Sequence, residues 1–161
     1  MTYGLFSYGA AAYGWFMSLY DDGLTIEERI EAALFASVQA LALSDDPPLA
    51  WPNVSFTPPP PDAPYVRVQH LRNANVRPFV KGSDPHLRQG ILQLTVVSPL
   101  HAGPSPVTTL AASIAAQYPA GLDLFESGIK VRIQAAPTVT SAEKTDVSYS
   151  ARVDVLYECF A

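Results

Sequence analysis

The chain has 161 residues, of which 48% are hydrophobic and 16% are charged, and its formal net charge is −5. This length suits one domain with a substantial core, but the charged fraction is below the roughly 25% usual in soluble domains. The low charge indicates a surface covered in part by copies of the chain or by partners. The negative balance argues against general nucleic-acid affinity. The single cysteine, Cys159, excludes an internal disulfide framework and favours a reducing compartment.

Residues 1–23 are predicted to form an N-terminal arm or extension, followed by one domain over residues 24–161. The arm is rich in glycine and alanine and contains seven of the 17 aromatic residues. No basic residue precedes its apolar part, so we expect neither a secretory signal nor a membrane span. Two interpretations stay open, a loosely ordered extension or an arm that docks on a neighbouring subunit. Because exposed aromatics favour aggregation, we expect burial of the candidate contacts Tyr8, Tyr13, Trp15 and Phe16.

A first helix is predicted from Thr25, which forms a capping box with Glu28, to an end before residue 44. Its apolar residues recur at helical spacing and give one buried stripe: Ile26, Ile30, Ala33, Leu34, Val38 and Leu41. A proline-rich connection follows over residues 44–64, with one short extended piece at residues 53–56. This connection is read as a rigid connector, or as a ligand for an aromatic groove on a partner.

The strongest strand signal is the β-branched, apolar run at residues 91–97, within a predicted central strand over residues 86–99. Gly90 inside this strand indicates a bulge or a close backbone approach. Alternating residues predict another strand at residues 64–71. Between the two strands, residues 73–85 read as a polar, basic loop with Val76, Phe79 and Val80 as part of a hairpin limb.

A second helix is predicted with Ser105 as its N-cap, Pro106 at its first position and its end at Tyr118. Extended segments follow at residues 121–125 and 129–133, then a polar hairpin loop over residues 137–146. Alternation from Val147 to Tyr157 predicts a long final strand. The fold class is therefore α+β, a mainly antiparallel sheet with two helices packed on one face.

Charge is unevenly distributed along the chain. Residues 1–62 carry eight acids and one base, residues 63–101 carry five bases and one acid, and residues 102–161 carry six acids and four bases. Three roles stay open for the basic block: contact with an acidic surface of a neighbouring subunit, contact with DNA phosphates, or an ordinary solvated hairpin. The candidate interface residues are Arg67, Arg72, Arg77, Lys81 and Arg88.

No catalytic, cofactor or metal site is predicted. His70, His86 and His101 are too widely spaced for a local metal motif, and Cys159 on an apolar strand is expected to be a buried small hydrophobe. No phosphate-binding, dinucleotide-binding or nucleophile-elbow motif occurs. An RNA-binding interpretation of Tyr65 and Arg67 lacks a partner strand with a matching pattern.

The chain resembles the tail terminator family of long-tailed bacteriophages over roughly residues 24–160. The resemblance lies in the capped acidic helix, NVSFTPP (53–59), YVRV (65–68), the basic loop, RQGILQLTV (88–96), the helix after Gly103 and the closing strands. Residues 1–23 fall outside this pattern.

The resemblance implies a non-enzymatic structural protein of the virion tail and neck, assembled in the host cytoplasm. It implies a homo-oligomer, expected to be a hexameric ring, that caps the tail tube and ends its polymerisation. The implied partners are the tail tube protein, a head-completion or neck protein, and genomic DNA passing through the lumen, with no membrane. Three alternatives stay open: another neck, head-completion or tube-like virion protein, a nucleic-acid-binding module, and a small enzyme whose site is assembled from distant residues.

Overall fold

The computed structural model describes residues 23–60, 63–82 and 84–161, so the predicted contacts of the aromatic arm lie outside the described residues. Within these ranges the chain forms two helices and eight strands. They are α1 (Ile26–Gln39), β1 (Leu49–Ala50), β2 (Tyr65–Arg72), β3 (Leu87–Ser98), α2 (Ser105–Ala116), β4 (Asp123–Glu126), β5 (Ile129–Ile133), β6 (Thr138–Val139), β7 (Glu143–Lys144) and β8 (Tyr149–Phe160).

The strands form one sheet in the order β1-β2-β3-β8-β5-β4, with β6 and β7 also paired to β8. All pairs are antiparallel except β1 with β2. The helices cover one face, α1 over β4 and β5 and α2 over β3 and β8. The predicted fold class, α+β with a mainly antiparallel sheet, is confirmed.

The core lies between the helices and alternate residues of the strands. Val68, Leu94 and Val153 lie side by side in register on β2, β3 and β8, and each is at most 1% exposed. The predicted central strand, β3, and the predicted long final strand, β8, are therefore confirmed. Val96 in the central strand is fully buried. Cys159 is also buried in this core, as expected.

Helix α1 begins as its sequence predicts. The Glu28 amide donates to the Thr25 side chain, and the Glu28 carboxylate accepts from the Thr25 amide at 2.7 Å. Hydrogen bonds to this ionised carboxylate lower the pKa of Glu28. The helix ends at Gln39, and its inward stripe buries Ile30, Ala33, Leu34 and Val38.

Helix α2 differs from the prediction at its first residues. Pro104 is the N-cap and makes no side-chain capping bond, so Ser105 is the first helical residue and Pro106 the second. A proline at either of the first two positions is tolerated because those amides have no partner inside the helix. The buried face, with Val107, Leu110, Ala111 and Ile114, agrees with the sequence.

Several short elements were predicted wrongly. Residues 53–56 form a turn and a loop, with Asn53 at φ 53°, and the extended piece in this connection is β1. Residues 137–146 are not simply a loop, because β6 and β7 pair with β8 there. Val147 lies before β8 and is 82% exposed, so the final strand begins two residues later than predicted.

No helix in the described residues is both long enough and apolar enough to span a membrane.

Candidate assembly interface

The sheet face opposite the helices carries the odd-numbered residues of β2 and β3. Arg67, Thr95 and Arg152 lie side by side on this face, one from each of β2, β3 and β8. Both arginines are exposed, whereas Thr95 between them is buried. Arg67, a predicted interface residue, is therefore exposed on the same face as a second arginine, two strands away, that the sequence did not single out. The alternation of residues in β8 indicated that Arg152 is exposed. Its place in one row with Thr95 and Arg67 depended on the register of the strands.

The loop between β2 and β3 holds two more predicted interface residues, Arg77 and Lys81, and both are exposed. In the described part of this loop, the bridge between Val76 and Leu87 stands in place of a full hairpin limb. Three apolar side chains of this loop are exposed: Val76 by 42%, Phe79 by 48% and Val80 by 93%. An exposed cluster of apolar and basic side chains is suited to a macromolecular contact.

The remaining predicted residues, Arg72 and Arg88, are engaged by α1. Arg72 Nη2 donates to Glu31 Oε2 at 2.7 Å, and Arg88 donates to the Glu27 carboxylate. The Arg88 side chain is only 17% exposed, whereas that of Arg72 is half exposed. Part of the attraction between the acidic and basic blocks of the sequence is therefore satisfied within one chain.

His70 occupies the centre of this α1–sheet contact. Its Nδ1 lies 3.0 Å from Glu31 Oε2, and its Nε2 lies 2.6 Å from the Tyr157 hydroxyl. An ionised carboxylate only accepts, so Nδ1–H donates to Glu31 and the Tyr157 hydroxyl donates to Nε2. Desolvation lowers the pKa of His70 despite Glu31, and burial raises the pKa of Tyr157 to about 12. Both groups are therefore neutral at physiological pH.

A cavity of about 300 Å³ adjoins this network, and its lining includes Glu27, His70, Arg88 and Tyr157. Among the residues that the structure describes, the buried Nε atom of Arg88 has no hydrogen-bond partner. Glu31 and Tyr157 were missed by the sequence analysis, because their contact with His70 joins residues 39 and 87 positions apart. The Tyr157 hydroxyl is buried and hydrogen-bonded, so we assign this network to the attachment of α1 to the sheet.

No group of three or more His, Cys, Asp or Glu residues suited to hold a metal occurs in the part of the chain that the structure describes. Burial raises the pKa of the Cys159 thiol, which disfavours the reactive thiolate. The fold and its surface thus define a class: a small α+β domain with exposed basic and apolar residues suited to contacts between macromolecules.

Residues 29–157 match the model of the family described as "Phage tail terminator protein". The chain belongs to this family, which confirms the resemblance found in its sequence and identifies it as a structural component of the phage tail. The match begins after the aromatic segment of residues 1–23. No curated protein matches the chain.

A solved structure supports the fold independently. It aligns with a TM-score of 0.63 and 24% sequence identity, covering 83% of this chain and 94% of that one. At this identity the similarity concerns the fold alone.

Proposed function

We propose that the chain forms a hexameric ring that caps the tail tube, ends tail polymerisation and offers its other face to a head-completion protein in the neck. Genomic DNA passes through the lumen, and the ring is assembled in the host cytoplasm before becoming part of the virion. The observation that carries this proposal is the family match over residues 29–157. A closed ring needs only modest contacts, because each subunit is held on two sides.

The proposed interface uses the five basic residues from the middle of the chain. Arg67, Arg77 and Lys81 are exposed and available to an acidic partner surface. Arg72 and Arg88 lie at the end of the sheet that carries the β2–β3 loop. Both are also bound to α1, so we assign them a supporting role.

The aromatic arm is proposed to dock on a neighbouring subunit through Tyr8, Tyr13, Trp15 and Phe16. Deletion of residues 1–23 is expected to weaken assembly or tube binding while leaving the unfolding transition of the domain unchanged. A truncated chain that assembles and binds tubes like the full chain would refute this docking.

The first experiment is light scattering and negative-stain imaging of the full chain, with and without purified tail tubes. Six-fold rings, or monomers that become rings at tube ends, are the expected result. A monomer indifferent to tubes overturns the proposal. If such a monomer also binds free DNA with a steep dependence on salt, it is a nucleic-acid-binding module.

A further inference from the structure

The tip of the β2–β3 loop is held by three local hydrogen bonds. Arg77 Nη2 donates to the Val80 carbonyl, the Lys81 amide donates to Asp84 Oδ2 at 3.3 Å, and the Asp84 amide donates to the Lys81 carbonyl at 3.2 Å. These local bonds hold a turn that leaves Val80 93% exposed. We call residues 77–81 the loop tip. Its apolar residues, among them Phe79 and Val80, lie between Arg77 and Lys81 in the sequence.

A groove of about 270 Å³ lies at the opposite end of the sheet, between α2 and the segments that precede β1 and β2. Its apolar lining comes from Pro64, Pro106 and Leu110, and Asp45 lies on its wall with Asp46 next in sequence. Both aspartates are exposed. The groove lies at the lower limit of the roughly 300–1,000 Å³ typical of small-molecule sites. Its remaining lining residues are Ser44, Ser105, Thr109 and Ser113.

The loop tip and the groove cannot meet within one chain. Pro64 of the groove immediately precedes β2, and the loop immediately follows it. The eight residues of β2 span roughly 26 Å at about 3.3 Å per residue. A contact between the two features therefore requires two copies.

We propose that the loop tip of one copy inserts into the groove of the next copy, so that Val80 packs against Pro64, Pro106 and Leu110. Charge complementarity selects this occupant, because two bases flank the tip and two acids flank the groove. A contact between different patches on successive copies is head-to-tail, and it produces a ring when the rotation closes. The closure into a hexamer rests on the proposed function, whereas the contact itself does not.

Disulfide trapping tests this contact directly. A copy with Val80→Cys is mixed with a copy with Thr109→Cys, an exposed position in the groove wall, under mild oxidation with and without tail tubes. A disulfide requires Cα atoms within about 7 Å, so a bond between these positions can form only between copies. We expect a covalent dimer from this mixture. A mixture of Val80→Cys with Phe125→Cys, which is 71% exposed elsewhere, is the control expected to stay uncoupled.

A double-mutant cycle tests the charge pairing. One arm is Arg77→Gln with Lys81→Gln, and the other is Asp45→Asn with Asp46→Asn, since asparagine tolerates the positive φ angles of these two aspartates. Each arm is expected to weaken association roughly up to fivefold per ion pair lost. The combined variant should lose less than the product of the two separate effects. Val80→Ser should weaken association by roughly tenfold or more, through the lost apolar contact.

The outcomes separate this contact from the proposed function. Rings that cap tubes without the Val80–Thr109 disulfide overturn the contact and leave the function standing. The disulfide in a chain indifferent to tubes supports the contact and overturns the function. Fully independent effects in the charge cycle also overturn the contact between copies.

Discussion

Gly90 lies directly opposite Tyr157 across the β3–β8 pair, and a Cβ atom at position 90 would lie 2.7 Å from the Tyr157 hydroxyl oxygen. The missing side chain therefore leaves the space through which this hydroxyl reaches His70. The same Cβ would lie 2.4 Å from the Leu71 carbonyl oxygen, so β2 also approaches closely. Of the two possibilities raised for Gly90, the close backbone approach is the one observed.

Gly90→Ala is expected to destabilise the domain by roughly 1–3 kcal/mol, as overpacking of a rigid core does. The clash involves the backbone of Leu71, which cannot rotate away as a flexible side chain can. Urea unfolding measures the loss. Gly82→Ala is the matched control, because the nearest described atom to its added Cβ would be Arg77 Nη2, at 3.8 Å. Equal stability of the two variants would contradict this role for Gly90.

Val96→Asp is expected to prevent folding, because it places a carboxylate at a fully buried position of the central strand without a partner. Circular dichroism and thermal unfolding report the loss. The same change at Val147, which is 82% exposed, should alter the free energy of unfolding by about 0.5 kcal/mol or less. A folded Val96→Asp variant would show that this position is not in the core.

Stability is expected to fall on mild acidification because of His70. Its pKa is lower in the folded chain than the ordinary value of 6.5, so the unfolded chain binds more protons below that pH. The free energy of unfolding should therefore decrease as the pH falls from about 7 to about 5. The groups facing the ring are Glu31 from α1, Tyr157 from β8 and Arg72 from its own strand.

His70→Gln should make this pH dependence shallower, and the slope measured by urea unfolding is the readout. His101→Asn is the control, because asparagine tolerates the φ of 71° at that exposed position. An unchanged slope in His70→Gln would assign the acid sensitivity to other groups.

The Glu27–Arg88 pair should respond unequally to loss of either partner. Glu27→Gln leaves the Arg88 guanidinium, 17% exposed, without its carboxylate, whereas Arg88→Met leaves a carboxylate that is 42% exposed and can be hydrated. Glu27→Gln should therefore cost more, by roughly 1 kcal/mol or more, than Arg88→Met. Parallel urea titrations compare the two, and the reverse order would contradict this account.

Long periodic segments were predictable from sequence because each carries its own signal. The capping box of Thr25 and Glu28 marks the start of α1, and the apolar run of β3 marks the central strand. Strands β1, β6 and β7 have two residues each, too few to show alternation, and they exist because a long strand lies beside them. Their positions depend on tertiary contacts.

The sequence was sufficient to identify the basic residues of the candidate interface, but not to predict which of them form ion pairs within the chain. Composition indicated an acidic first helix and a basic middle, and both are present. It did not indicate that Glu27 and Glu31 would engage Arg88 and Arg72 within the same chain, since these pairs join residues 61 and 41 positions apart. Which basic residues are paired with α1 and which are exposed depends on how α1 packs against the sheet, and this is visible only in the structure.

Strand β8 pairs with β3, β5, β6 and β7, yet it follows all of them in the chain. In the pairing of β3 with β8, Leu87 and Phe160 lie opposite each other although they are 73 positions apart in the chain. During synthesis, β3 can pair with β2, but its other edge stays unpaired until residues 149–160 have left the ribosome. Such long-range pairing is slow and exposes strands to aggregation. The nascent chain should consequently depend on chaperones until its last strand is released.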